Sequence, residues 1–294
     1  MKVLAIDGGG IRGLIPARVL AEIERRCGRR AGELFDLVAG TSTGAIIACG
    51  LTRPDPLAAE EIAQIYLQEG PAIFDRSLLK RITSADGYLD ERYDSDGLVS
   101  SLRRHLGSTR LADAGPAIML TAYDLERRRA VFLRRDDDLS MVEAAHASAA
   151  APSYFEPVRV GSTTLVDGGV FATNPAMCAN AETEGDLEVL VSLGTGEHTR
   201  PLPYELVKDW GKLQWARPVL DVVFDGTADA VDFQLESLLG AGYVRLQTPL
   251  DEASDELDDV TPENLAALER EAERLIAARD DELDRLCARL TRDG

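Results

Sequence analysis

Apolar and polar positions along the chain alternate between short apolar runs and amphipathic stretches. VLAI (residues 3–6) is an apolar run closed by the glycine loop DGGGIRG (7–13). LIPARVLAEIERRCG (14–28) then spaces its apolar residues three and four apart, as a helix with one buried face does; Pro16 is tolerated in the first turn and Gly28 stops it. LFDLVAG (34–40) reads as a second strand, and TGAIIACGL (43–51) opens a second helix. Two strand–glycine turn–helix units within fifty residues predict an α/β fold, a three-layer α/β/α arrangement around a largely parallel central sheet.

The pattern continues less regularly. Residues 57–69 and 94–106 read as helices joined by an irregular segment that includes SADGYLDERYD. AIMLTAYDLERRRAVFLRR (117–135) reads as two strands around a polar turn. Ser140 and Glu143 make a capping box for a small-residue helix through Ala150, which Pro152 stops. VRVGSTTLVDGG (158–169) has the look of a hairpin whose second strand ends at Asp167, and LEVLVSLGTG (187–196) of another strand running into a glycine loop. DEASDELDD (251–259) reads as a solvated acidic linker, and Thr261-Pro262 as the N-cap and first position of a helix running to about Leu290. With no internal repeat and no clear linker before residue 251, the expectation is one domain over 1–294, with the linker at 251–260 and a C-terminal helix at 262–290.

Composition narrows the function classes. The 45% apolar and 28% charged content is that of a globular protein. A net charge of −19 argues against a nucleic-acid partner and weakens docking on anionic lipid. No apolar run approaches the ~18 residues of a membrane-spanning helix, and MKVLAIDGGG is too short an apolar start for a secretory leader. Cys27, Cys49, Cys178 and Cys287 are scattered, suggesting neither a disulfide framework nor a zinc site. Together these point to a reduced, cytoplasmic protein with no transmembrane segment.

Two glycine loops carry the candidate chemistry. Gly8-Gly9-Gly10-Ile11-Arg12-Gly13 matches the dinucleotide fingerprint G-x-G-x-x-G, but the acidic residue nearest the expected place, Asp36, precedes the second turn instead of ending a clean strand. The same loop aims backbone N–H groups at a negative charge, and a tetrahedral oxyanion is one such charge. Gly40-Thr41-Ser42-Thr43-Gly44 is G-x-S-x-G between an apolar strand and a small-residue helix, the pattern of a nucleophilic serine on a sharp turn.

Ser42 needs a base, and the chain has only three histidines. One arrangement is a triad of Ser42, Asp167 and His198, in the chain order of the α/β hydrolases. The other makes Asp167 itself the base, since Gly168 and Gly169 leave its carboxyl unobstructed. His105 sits at a helix end, where a cationic cap is the usual role, and His146 lies on the small-residue helix as a packed side chain.

DGGGIRG, GTSTG and DGG, in this order, together with AHASAAAPSYFEPV (145–158), resemble the patatin-like phospholipases; the resemblance runs from the N-terminus to about residue 196. It implies a histidine-free dyad with Ser42 as nucleophile and Asp167 as general base. It also implies an oxyanion hole from the N–H groups of Gly9 and Gly10, with Gly8 and Thr43, and Arg12 holding a negative group near the site. The implied activity is hydrolysis of lipid acyl esters, of phospholipase A or lysophospholipase type, on a lipid or membrane-surface substrate. Residues 71–94, with Arg76, Lys80 and Arg81, are a candidate lid or interfacial loop. Competing readings are a nucleotide-binding or sensing protein built on the 8–13 loop, a ligand-activated phospholipase effector, and a Ser-His-Asp esterase using His198.

Overall fold

The structure is a computed structural model and describes residues 1–74, 79–83, 89–197, 199–215 and 218–292. In chain order its elements are β1 (Lys2–Ile6), α1 (Leu14–Cys27), β2 (Leu37–Thr41), α2 (Thr43–Thr52), α3 (Ala59–Ile73), β3 (Leu79–Thr83), β4 (Leu89–Tyr93) and α4 (Asp96–Leu106). They continue with β5 (Ala117–Asp124), β6 (Arg129–Arg134), α5 (Met141–Ser148), β7 (Val158–Val160), β8 (Thr163–Asp167), α6 (Gly169–Ala172), α7 (Ala176–Glu182) and β9 (Val189–Leu193). The last are α8 (Tyr204–Val207), α9 (Lys212–Trp215), α10 (Pro218–Leu239), β10 (Tyr243–Leu246), α11 (Pro262–Ala278) and α12 (Asp280–Leu290).

The main sheet runs β10-β9-β1-β2-β5-β8-β7, with β6 on β5. From β10 to β5 all pairings are parallel, while β6, β8 and β7 are antiparallel. Both faces are covered, which is why strands such as KVLAI are apolar almost throughout instead of alternating with polar residues. Leu4 and Ile6 enter the larger core, beneath α1, α2, α11 and α12, whereas Val3 and Ala5 face the smaller one, under α7 and α10. The α/β/α reading with a largely parallel sheet is therefore the fold.

Several local expectations change. The joining segment after α3 is not wholly irregular, because β3 and β4 pair antiparallel. Helix α3 runs past Pro71 to Ile73, its last turn closed by Phe74 N–H to Gly70 O at 3.0 Å. The stretch 251–259 is ordered against the core although several of its acidic side chains stay in water: Ala253 and Leu257 are buried, and Leu257 O accepts from Ile11 N–H at 2.9 Å. Backbone N–H groups of Asp251 and Glu252 both donate to buried Glu271, so its acidity conceals a set of ordered turns. The C-terminal helix is two helices, with Arg279 between them outside helical geometry.

Candidate active site

Ser42 stands between the last residue of β2 and the first of α2, at φ 56° and ψ −119°. A non-glycine residue with positive φ is held there by its surroundings and stores about 1–3 kcal/mol of strain. The flanking glycines explain how the turn fits. A Cβ on Gly44 would stand 2.1 Å from Ile6 O, and one on Gly40 would stand 2.3 Å from Gly44 O. The turn is anchored from α5, whose buried Ser148 accepts the Ser42 N–H at 3.0 Å.

Strand register brings Asp167 to the same place. Thr41 pairs with Thr121 on β5, and the next residue, Ala122, pairs with Asp167. Since β6 occupies one edge of β5 over 119–124, β2 and β8 must share the other. Antiparallel β8 ends one step beyond the point where β2 leaves at the elbow, so its last residue, Asp167, and Ser42 become neighbours. Thr41 tightens the junction by donating to Ala172 O at 2.7 Å and bonding Thr121 Oγ1 at 2.7 Å.

The Asp167 carboxyl is 2% exposed. Burial pushes its pKa up to about 7, against hydrogen bonds from the Ser42 hydroxyl and the Gly169 N–H that favour the charged form. The Gly169 bond to Oδ1 is 2.7 Å. Among the described residues no imidazole takes part in this arrangement; His105 Nε2 bonds Glu69 Oε1 at 2.7 Å, and His146 Nε2 is buried without a partner. Burial and the charge of Arg103 lower the pKa of His146. The third histidine, His198, lies outside the described residues.

The 8–13 loop lies across from the elbow, the Cβ position of Gly8 falling 3.3 Å from Ser42 Cβ. Its N–H groups are not equivalent. Gly8 donates to Thr173 O at 3.0 Å, so that N–H is spent on the fold and Gly8 drops out of the expected oxyanion set. The N–H groups of Gly9, Gly10 and Thr43 have no acceptor among the described residues. Gly10 holds φ +57°, and its Cβ would meet Leu257 O at 2.2 Å, so the acidic segment closes directly over the loop.

Arg12 is buried, with Nε donating to Gly9 O at 3.3 Å. Burial lowers its pKa while Asp225, Asp221 and Asp255 hold it up. It is thus a brace of the loop with carboxylates around it, more than an open anion site. Residues that sequence reasoning missed do further bracing. Thr195 Oγ1 donates to Gly8 O at 2.7 Å, and Arg245 bonds Asp7 Oδ2 at 2.7 Å and Ser192 Oγ at 2.8 Å. Burial raises Asp7 to about 6 even though Arg245 works against it, and Asp7 Oδ1 has no partner. Asp7 was visible as the D of DGGGIRG; Arg245, on an edge strand after a long unread stretch, carried no local signal.

Two cavities adjoin the 8–13 loop. One, about 90 Å³, runs from Ser42 and Thr43 between α2, α3 and α4 and is lined almost wholly by apolar side chains such as Ile46, Ile62, Leu102 and Phe155. The other, about 190 Å³, is polar and is walled by Asp7, Arg12, Thr195 and Phe224. The lid reading of 71–94 rests on Arg76 and on the Lys80 and Arg81 side chains, which lie outside what is described. Asp36, the acidic candidate of the dinucleotide reading, precedes β2 and accepts from Lys2 N–H, at the opposite end of the sheet from the glycine loop. No cluster of metal-ligating side chains occurs among the described residues.

Residues 4–179 match the family described as Patatin-like phospholipase. Patatin-like protein 2 of Oryza sativa subsp. indica is 30% identical, over 94% of this chain and 84% of its own length. Patatin-like protein 2 of Arabidopsis thaliana is 29% identical, over 94% and 83%. VipD of Legionella pneumophila superposes with a TM-score of 0.44 at 13% identity, over 94% of this chain and 67% of that one.

Proposed function

The chain belongs to the patatin-like phospholipase family, a family of lipid acyl hydrolases, and from that premise we propose that it cleaves acyl esters of glycerophospholipids or lysophospholipids through a Ser42–Asp167 dyad. The observation that carries the reading is a buried Asp167 carboxyl, raised to about 7 and stabilised in its charged form by the neighbouring Ser42 hydroxyl, with Ser42 lining an apolar cavity.

An ordinary aspartate is too weak a base to take a serine proton efficiently near neutrality, whereas one with a pKa near 7 is matched to the task. Asp167 accepts the proton as Ser42 Oγ attacks the acyl carbonyl carbon. The negative charge that develops on the carbonyl oxygen is met by N–H groups of Gly9, Gly10 and Thr43, already unpaired and pre-set by the loop and by the start of α2. Asp167 then returns the proton to the departing alkoxide, leaving an acyl-enzyme. A water deprotonated by Asp167 cleaves that ester, releases the fatty acid and regenerates the serine. The apolar cavity takes the acyl chain, and the polar one, with Arg12 at its wall, takes the head-group side.

A lipid-like fluorophosphonate with mass spectrometry tests the dyad on wild type, Ser42→Ala, Asp167→Asn and His198→Ala. The expected result is an adduct on Ser42 that is lost with Asp167→Asn and kept with His198→Ala. Loss of labelling only with His198→Ala would replace the dyad by a histidine triad.

A further inference from the structure

Nearly all the large apolar side chains that the described residues leave in water fall in one stretch: of ten, only Leu125 lies outside residues 202–238. Leu202, Tyr204, Leu206 and Leu213 stand on and before α8 and α9, with Tyr204 and Leu213 exposing 73% and 66% of their surface. Beside them lie both tryptophans of the chain, Trp210 and Trp215, half-buried and packed edge to face at 5.2 Å. Two of the chain's four lysines, Lys208 and Lys212, are interleaved with them.

Helix α10 continues this face and ties it to the site. Its outer edge presents Val219, Val222 and Val223 to solvent, with only Leu235 of its 22 residues buried. Its inner edge sits on the catalytic region. The Phe224 ring lies 3.3 Å from the Cβ position of Gly169, whose N–H holds Asp167, and Thr227 Oγ1 is 3.4 Å from Thr173 Oγ1. Phe224 also walls the polar cavity beside Gly8 and Arg12.

Tryptophan, tyrosine and leucine interleaved with lysine is the composition of segments that lie in the head-group layer of a bilayer, rings and alkyl groups inward and amino groups at the phosphates. Charge selects the kind of surface. Lys208 and Lys212 are balanced locally by Glu205 and Asp209, on a chain of net charge −19. Neither an anionic membrane nor a second equally acidic copy is favoured against such a face. We infer that residues 202–215 and the first turns of α10 form a docking face for a zwitterionic lipid surface, which sets the mouth of the Ser42 site against its substrate. The inference rests on the lipid hydrolase reading for the identity of that substrate.

Because both tryptophans lie in the face, their fluorescence reports its contact with lipid without a label. The experiment mixes the full chain with vesicles of ether-linked phosphatidylcholine, which cannot be hydrolysed, and follows emission and co-sedimentation. The expected result is a blue shift with co-sedimentation, and a roughly hundredfold weaker partition for the double variant Leu206→Glu, Leu213→Glu. The double variant should hydrolyse a short soluble ester as wild type does. Unchanged emission without co-sedimentation, or undiminished binding by the double variant, would overturn the inference, as would binding confined to phosphatidylglycerol vesicles. A blue shift that follows protein concentration without vesicles, with a dimer in sedimentation velocity, would assign the face to a second copy instead. Soluble-ester hydrolysis, and its loss in Ser42→Ala, tests the hydrolase reading separately: docking without hydrolysis would sink that reading alone, and hydrolysis without docking the face alone.

Discussion

Replacing Asp167 by asparagine should inactivate the protein and yet stabilise it at alkaline pH. Burial raises the folded-state pKa of this carboxyl from an ordinary 3.8 to about 7, against the Ser42 and Gly169 hydrogen bonds. The folded protein therefore binds the proton more tightly than the unfolded chain does. Between pH about 4 and about 7 the native state holds more protons, so stability falls as pH rises through that window. Carried from 3.8 to about 7, the linkage amounts to about 4 kcal/mol lost by pH 8 relative to pH 4. Asparagine has no charge to bury and should keep its carbonyl on the Gly169 N–H, so this loss disappears. Asp7, raised to about 6, contributes its own decline to both proteins and cancels in the comparison. The assay is urea unfolding of wild type and Asp167→Asn at pH 5 and pH 8. Wild type should lose about 2.5 kcal/mol more than the variant between the two, the part of the linkage that falls above pH 5. Equal losses, or a variant less stable than wild type at pH 8, would show that Asp167 titrates normally and is no poised base.

Further predictions follow from the same geometry. The kcat/KM on a soluble ester should rise about tenfold per pH unit up to pH about 7 and then level off; a profile already flat from pH 5 would contradict a base of raised pKa. Ser42→Ala should lower kcat by more than about 10⁴-fold with the fold unchanged by circular dichroism. Arg245→Met leaves the Asp7 carboxylate buried without its partner and should cost about 3–5 kcal/mol at pH 8, less at pH 5, with much of the loss regained in the double variant with Asp7→Asn. Leu102→Trp, projecting into the apolar cavity, should lower kcat/KM for long acyl chains at least about tenfold while sparing acetate esters, measured across a chain-length series.

Much of this was written in local pattern. The strand–glycine–helix units announced a parallel α/β sheet because continuous apolar strands need helices on both faces. G-x-S-x-G announced the elbow because Gly40 and Gly44 lie where a side chain would strike Ile6 O or Gly44 O, a demand made by residues a few positions apart or on the adjacent strand. The capping box at Ser140 and Glu143 formed as its spacing requires. DEASDELDD, in contrast, looked like a solvated linker by composition and is ordered, because its N–H groups find Glu271 and Asn264 on a helix that comes later in the chain.

By itself, then, the sequence determined the fold class, the strained serine and the candidates for its base, since each depends on steric or periodic rules acting over a few residues. Tertiary structure decided the rest. It took Gly8 out of the proposed oxyanion set by giving its N–H to Thr173 O, and it surrounded Arg12 with carboxylates from α10 and the acidic segment. It brought Arg245 to Asp7 across 238 residues of chain, and left the outer edge of α10 bare. It also placed Asp167 one ladder step beyond Thr41. Desolvation and hydrogen-bond competition depend on which groups meet, and strand register across distant segments settles that.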